Sequence, residues 1–250
     1  YNGTVANCMF VGSVSGSEIV GGICGENDGG YVKNCVVVAE VSAKDNVGAI
    51  CGSAGKYNVN ITNCYYDSDI CTAGGITGAD ESGTTGLSRE DLCGTALNLS
   101  AAHWTEGSID TDTNNWILVT VYSYPRLNNA SEAHTAVKTQ YDYSIDGTGV
   151  YEDCIVINTA EEFAALTKDK TAWDKNYALG NDIDLTGKTI TSIGADMNYP
   201  FEGKFSGNTY TIYNVTINSP DTEFVGIFGV NRGLIMDLNA QGNVTGKNFV

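Results

Sequence analysis

The chain has 250 residues with thirteen basic and thirty acidic side chains, a formal net charge of −17. That balance speaks against nucleic acid and anionic membranes as partners, since both need a basic face. Thirty glycines, only three prolines and 42% hydrophobic residues describe a folded, turn-rich β protein, and no apolar run approaches the roughly 20 residues of a membrane span.

Residues 14–35 return as residues 41–64. Cys24 and Cys51 are 27 residues apart, Val20 and Val47 keep the same spacing, and Cys8, Cys35 and Cys64 form a second column with Asn7, Asn34 and Asn63 directly before them. Self-similarity at this period predicts a solenoid whose turns bury their apolar faces on their neighbours. Within a unit the apolar runs are short, β-branched and broken at Gly or Asn, which are strand signals. Three such strands in about 27 residues predict a parallel β-helix coil, because helical repeats need about 33 residues or more. The glycines at 21, 22 and 25 supply φ > 0 or close backbone approach at corners. The Asn column predicts a side-chain amide ladder.

Eight cysteines raise the question of metal or disulfide chemistry. There is no CxxC pair, and His103 and His134 stand far apart, so the chain shows no zinc site and implies no cofactor. Stacked strands about 4.8 Å apart point equivalent side chains the same way, which leaves Cβ atoms wider apart than the ~3.8 Å a disulfide prefers. Cys8, Cys24, Cys35, Cys51 and Cys64 are therefore read as small buried hydrophobes. Cys71 and Cys93 lie outside the repeat and are free to pair, leaving Cys154 over.

After Cys64 comes a Gly/Thr-rich loop, then Ser88-Arg89-Glu90-Asp91, a capping box opening a short helix with Leu92, Ala96 and Leu99 on one face. Trp104, a strand-like run over 116–121 and the turn at Tyr124-Pro125-Arg126-Leu127 complete a cap of the sort an open solenoid end requires. Residues 128–149 are polar and read as a linker. A new start follows: a strand at 154–157, a capping box of Thr159 with Glu162 over Phe163, Ala165 and Leu166, then strands near 177–181, 182–185, 190–193 and 211–217. The repeat then returns. Residues 225–231 line up with Val20, Gly22, Ile23, Cys24, Gly25, Glu26 and Asn27, so Phe228 takes the Cys24 slot and Leu238 that of Cys35.

The segments VGGICGENDGGYVKNC, VGAICG…ITNCYYDS and VGIFGVNRGLIMDL resemble the GLUG-motif repeat proteins of bacterial cell surfaces. The run INTAEEFAAL…YALGNDIDL…FEGKFSGNTYTIYNVTI is similar to the opening of such arrays, and W…YPRL to their close. The resemblance implies a right-handed parallel β-helix, with residues 1–127 a closing half, 128–149 a linker and 150–250 an opening half. Val250 aligns with Val20 and Tyr1 with Asp28, so joining end to start leaves about seven residues missing, the equivalent of residues 21–27. The chain therefore reads as a piece of something longer. Its open layers predict an assembly interface at Tyr1, Asn2, Phe249 and Val250, used between molecules head to tail, within one molecule as a permuted helix, or along a tandem array.

The chemistry-bearing candidates are thin. Asp182 and Asp184 share one face of a strand and read as a solvated edge. Asp110-Thr111-Asp112-Thr113-Asn114 opens like a calcium loop but lacks its Gly and Glu, while Asp67, Ser68 and Asp69 form a second acidic turn. Tyr65, Tyr66, Tyr141 and Tyr143 offer either sugar-stacking or packing surface. The expected function is a non-enzymatic extracellular structural or adhesive β-helix on a bacterial surface, its partners being other copies of itself, adjacent repeats, or host and matrix glycans or proteins. The alternative is a carbohydrate-binding or polysaccharide-active β-helix enzyme, which would need carboxylates gathered on one groove.

Overall fold

A computed structural model describes residues 2–54, 60–77, 83–93, 116–117, 126–127, 154–208 and 210–250. Among these the fold is all-β, built of parallel strands in two seven-stranded sheets with shorter pairings between them. The first sheet runs, in spatial order, through Cys154–Ile157, Asn176–Leu179, Lys204–Ser206, Leu234–Met236, Thr4–Ala6, Tyr31–Lys33 and Asn60–Thr62. The second runs through Thr84–Leu87, Cys64–Asp67, Val36–Ser42, Met9–Ser15, Asn239–Thr245, Thr211–Asn218 and Ile183–Asp184. From Asn176 to Asp67 each pass of the chain contributes one strand to each sheet, and two passes also pair along a third side, Glu18–Gly21 with Asp45–Gly48 and Cys24–Glu26 with Cys51–Ser53.

The period seen in the sequence is the period of this stacking. Thr4 lies opposite Tyr31, Glu18 opposite Asp45 and Cys24 opposite Cys51, so residues 27 apart are neighbours in space. Side chains alternate along each strand, and every second residue forms a column of like character. In the first sheet that inward column is Tyr177, Phe205, Ile235, Val5, Val32 and Ile61. In the second it is Ile183, Ile212, Ala240, Phe10, Val37 and Tyr66. These columns meet in one core. The continuous run Val36-Val37-Val38-Ala39 is apolar on both faces for a separate reason. Val37 points into that core, whereas Met9, Val36, Val38 and Tyr65 form a second cluster with Leu92 of the short helix Arg89–Cys93. Ser88 starts that helix, its hydroxyl accepting from the Asp91 amide at 3.0 Å.

At the other end Thr159 and Glu162 make the capping box expected from their spacing, ahead of the helix Ala160–Leu166. Phe163 and Leu166 of that helix are buried, and the Trp173 indole donates to the Leu166 carbonyl at 2.9 Å. Of the strand expected over 116–121, Trp116–Ile117 is described, antiparallel to Arg126–Leu127. Residues 128–149 lie outside the described residues.

Strands from before residue 94 and after residue 153 share both large sheets. Leu234–Met236 pairs with Thr4–Ala6, and Asn239–Thr245 pairs with Met9–Ser15 over seven residues. Gly12 and Gly242 face each other at this seam, with φ of +145° and +159°. A Cβ on Gly12 would fall well inside the radius of the Gly242 carbonyl oxygen, so the close approach needs glycine.

Candidate functional site

The columns that the repeat singled out are structural. Asn7, Asn34 and Asn63 occupy the left-handed region, with φ of 52°, 53° and 52°, and Asp237 joins them at 53°. Asn and Asp tolerate that conformation because their short polar side chains bond locally. The Asn34 side-chain amide donates to the Asn7 side-chain oxygen at 3.2 Å. Directly after each Asn sits a buried cysteine whose thiol points at the carbonyl two residues back: Cys8 to Ala6, Cys35 to Lys33 and Cys64 to Thr62. Burial, then the neighbouring Cys64 and Cys8, push the Cys35 thiol well above the ordinary range. A bond with Cys51, then burial, does the same at Cys24. Neutral thiols of this kind are poor nucleophiles and poor metal ligands. Cys71 carries a free thiol, so the expected freedom to pair with Cys93 is not used at Cys71. Cys154 is also free, with burial pushing it up to about 11.

The carboxylate candidates are spent on hydrogen bonds to neighbouring side chains and backbone amides. Asp184 and Asp182 both face outward while Ile183 between them is buried. Asp184 accepts from the Asn214 side-chain amide at 2.8 Å and the Thr186 hydroxyl at 2.7 Å, which hold its carboxyl below the usual range. Asp182 accepts from the Thr211 amide at 2.8 Å. In the acidic turn, Asp67 accepts from the Asp69 amide and Asp69 from the Arg89 amide. Among the described residues no cluster of three or more His, Cys, Asp or Glu is placed to hold a metal ion. Tyr65 and Tyr66 are buried and pack. His103, Trp104, His134, residues 110–114, Tyr141 and Tyr143 lie outside the described residues.

Of the residues expected at an assembly interface, Asn2, Phe249 and Val250 are described. Val250 is buried, its amide donating to Ile19 at 3.2 Å and its carbonyl accepting from Gly21 at 2.9 Å. Phe249 stacks face to face on Phe224, ring centres 4.8 Å apart. Asn2 is exposed and its amide donates to the Asp28 carbonyl at 3.2 Å; Tyr1 lies outside the described residues. Beside Val250 a cavity of about 190 Å³ opens into the core. Its walls are residues 224–231 on one side and 21–27 on the other, with Val5, Phe10 and Leu238 at its floor. Both walls stand in one molecule, the permuted arrangement that was one of the three the repeat left open.

The comparisons with known proteins are sparse. The chain is similar to Halomucin of Haloquadratum walsbyi (strain DSM 16790 / HBSQ001), 31% identical over 127 residues. The match covers 41% of this chain and about 1% of the length of that protein. No family model matches, and no solved structure matches. Among the described residues no helix is long and apolar enough to cross a membrane.

Proposed function

We propose that the chain is a segment of a parallel β-helix solenoid of the GLUG-motif kind and serves as a non-enzymatic structural or adhesive element outside the cell. The observation that carries the reading is the unbroken run of seven parallel strands in each of two sheets, with buried apolar columns inside. Polar columns stand outside: Thr216, Asn243, Ser13 and Glu40 form one, and Asn218, Thr245, Ser15 and Ser42 another. Such a body is stiff and long for its mass, and its outward face is a repeated polar lattice suited to display. The net charge of −17 suits a solvated surface in contact with water or counterions.

Assembly follows from the same seam. If Asn239–Thr245 of one molecule pairs with Met9–Ser15 of the next, the register now closed within a chain builds a head-to-tail fibre without any new contact. Size-exclusion chromatography across a concentration series, with electron microscopy of the largest fraction, tests this. A compact monomer at every concentration would rule out the fibre and leave a single rod.

A second reading rests on Tyr31 and Tyr213, large aromatic side chains that remain exposed and suit contact with sugars. A glycan array run beside a reducing-sugar release assay separates the two. Binding without release fits an adhesive scaffold, whereas release of product would establish a polysaccharide-active enzyme instead.

A further inference from the structure

We propose that Tyr213, Asn214 and Asp184 form a binding site for a neutral pyranose sugar on the outer face of the second sheet. It rests on the sugar reading of the exposed tyrosines above and adds to it a place and a ligand class.

The strand Thr211–Asn218 carries one residue more than its partner at this place. Ile212 lies opposite Ala240 and Val215 opposite Gly242, so Tyr213 and Asn214 together face Gln241. A bulge of this kind re-aims a side chain. Strict alternation would turn one of the two residues inward; instead both are exposed, between buried Ile212 and Val215. Asn214 makes the bend with φ +57°, in the left-handed region that asparagine tolerates. On the other side Tyr213 is the register partner of Asp184, and its carbonyl accepts from the Leu185 amide at 3.0 Å. Register partners point to the same face of a sheet, and both side chains are exposed. The phenol ring therefore stands beside the Asp184 carboxylate.

The polar groups are fixed before any ligand arrives. Thr186 donates to Asp184 Oδ1 from its backbone amide at 2.9 Å and from its hydroxyl at 2.7 Å. The Asn214 side-chain amide donates to the same oxygen at 2.8 Å and to the Thr186 hydroxyl oxygen at 3.0 Å. All the bonds to the carboxylate thus end on one of its oxygens. Asp184 Oδ2 and Asn214 Oδ1 have no donor among the described residues, and both side chains reach solvent. Two held acceptors beside an aromatic ring suit a pyranose, whose neighbouring hydroxyls donate while its C–H face lies on the ring. Little ordering remains to be lost on binding. Gln241, exposed opposite the bulge, offers a donor and an acceptor to the next unit of an oligosaccharide. Charge sets the ligand class. Asp182 is exposed two residues from Asp184, and the chain carries a net −17, so uronates and sulfated sugars are repelled.

The test titrates the full chain with neutral trisaccharides of glucose, mannose, galactose and N-acetylglucosamine, read by calorimetry and by saturation-transfer NMR. Expected is saturable binding of at least one of them, with transfer to its ring C–H protons. Tyr213→Ala removes the ring and should weaken binding at least about tenfold, whereas Tyr213→Phe keeps the ring and should bind within about twofold of the parent. Asp184→Asn keeps an oxygen for Thr186 and Asn214 but turns the second acceptor into a donor, for a loss of about tenfold. Tyr31→Ala, in the first sheet, should leave binding unchanged. Asp184 also holds the Thr186 turn, so its variant is read beside its thermal unfolding; the Tyr213 ring takes no part in that turn.

The outcomes separate the site from the reading beneath it. If none of the four trisaccharides binds, the site and the sugar reading fall together. Binding that Tyr31→Ala abolishes and Tyr213→Ala leaves intact overturns the site alone. So does binding that every variant shares, or an equal loss in Tyr213→Phe and Tyr213→Ala, which would leave the ring face without a role. A uronate or sulfated trisaccharide that binds more tightly than the neutral ones overturns the ligand class.

Discussion

Asn7 donates from its side-chain amide to a carboxylate oxygen of Asp237, 3.0 Å away and 230 positions distant in the chain. Asn7 also accepts from Asn34, so one hydrogen-bonded ladder runs across the junction between the two halves. All three residues sit near φ +53° at the same corner. The ladder therefore combines two roles: it supplies the one side-chain type besides glycine that takes this turn readily, and it ties consecutive layers together.

Asn7→Ala removes both roles and Asn7→Gly removes only the ladder. The alanine variant should lose about 2–3 kcal/mol of stability, the sum of the left-handed penalty and the lost buried bonds, and the glycine variant about 1 kcal/mol. Guanidinium unfolding midpoints of the two variants decide the matter. Equal losses would show that backbone conformation contributes nothing at this corner.

Much of this architecture was legible in the residues. The 27-residue spacing of Val20 with Val47 and Cys24 with Cys51 is the register itself, because in parallel stacks like residues lie on like. Leu238 standing in the Cys35 slot is confirmed by the pairing of Asn239 with Met9 and of Met9 with Val36, each one residue further on. What the sequence could not give was the choice between stacking within and between molecules, since Asn239–Thr245 meets the same partner strand in either case. Nor did it give the apolar cover of Val36 and Met9. That depends on where a five-residue helix docks, and Leu92 alone does not say. The carboxylate pair Asp182 and Asp184 was legible as a solvated face, because an alternating strand with Ile183 inward leaves both outside.

Gly12 marks the seam's tightest point. Gly12→Ala forces a Cβ against the Gly242 carbonyl and strains a positive φ, so it should cost about 2–3 kcal/mol and loosen the junction preferentially. The next strand carries Ala39 at the equivalent place, where a side chain already fits. Ala39→Gly should therefore cost only about 1 kcal/mol. Hydrogen exchange of residues 10–14 and 240–244 provides the readout. Unchanged protection in Gly12→Ala would contradict the close approach.

Ile19 is the misfit of the second corner. It holds φ +56°, a region in which a β-branched residue is an outlier, whereas the next layer places Asn46 there at φ +52°. Ile19→Asn should relieve strain of about 1–2 kcal/mol and give up part of a half-buried side chain. The net expectation is a gain of about 0.5–1 kcal/mol in urea unfolding. A loss larger than about 1 kcal/mol would show that Ile19 is held for packing against the chain end rather than tolerated there.

The buried thiols and phenols make stability depend on alkaline pH. Burial and neighbouring thiols raise Cys35, hydrogen bonding with Cys51 and burial raise Cys24, and burial pushes Tyr65 and Tyr177 up to about 12. In each case the folded protein holds a proton that the unfolded chain releases at its ordinary value, near 8.5 for Cys and about 10 for Tyr. Above those values the unfolded state binds fewer protons, so stability falls as pH rises. It is complete below about pH 8, declines from about pH 8.5 as the thiols of the unfolded chain ionise, and falls further between about 10 and 12 with the two tyrosines. Iodoacetamide gives the independent check: at pH 8 it should leave Cys35 and Cys64 unmodified in the native protein and label them within minutes in denaturant. Stability that is flat or rising from pH 9 to 11, or native labelling of Cys35, would mean the cysteine column is not the dry, neutral packing that its position beside the asparagine ladder implies.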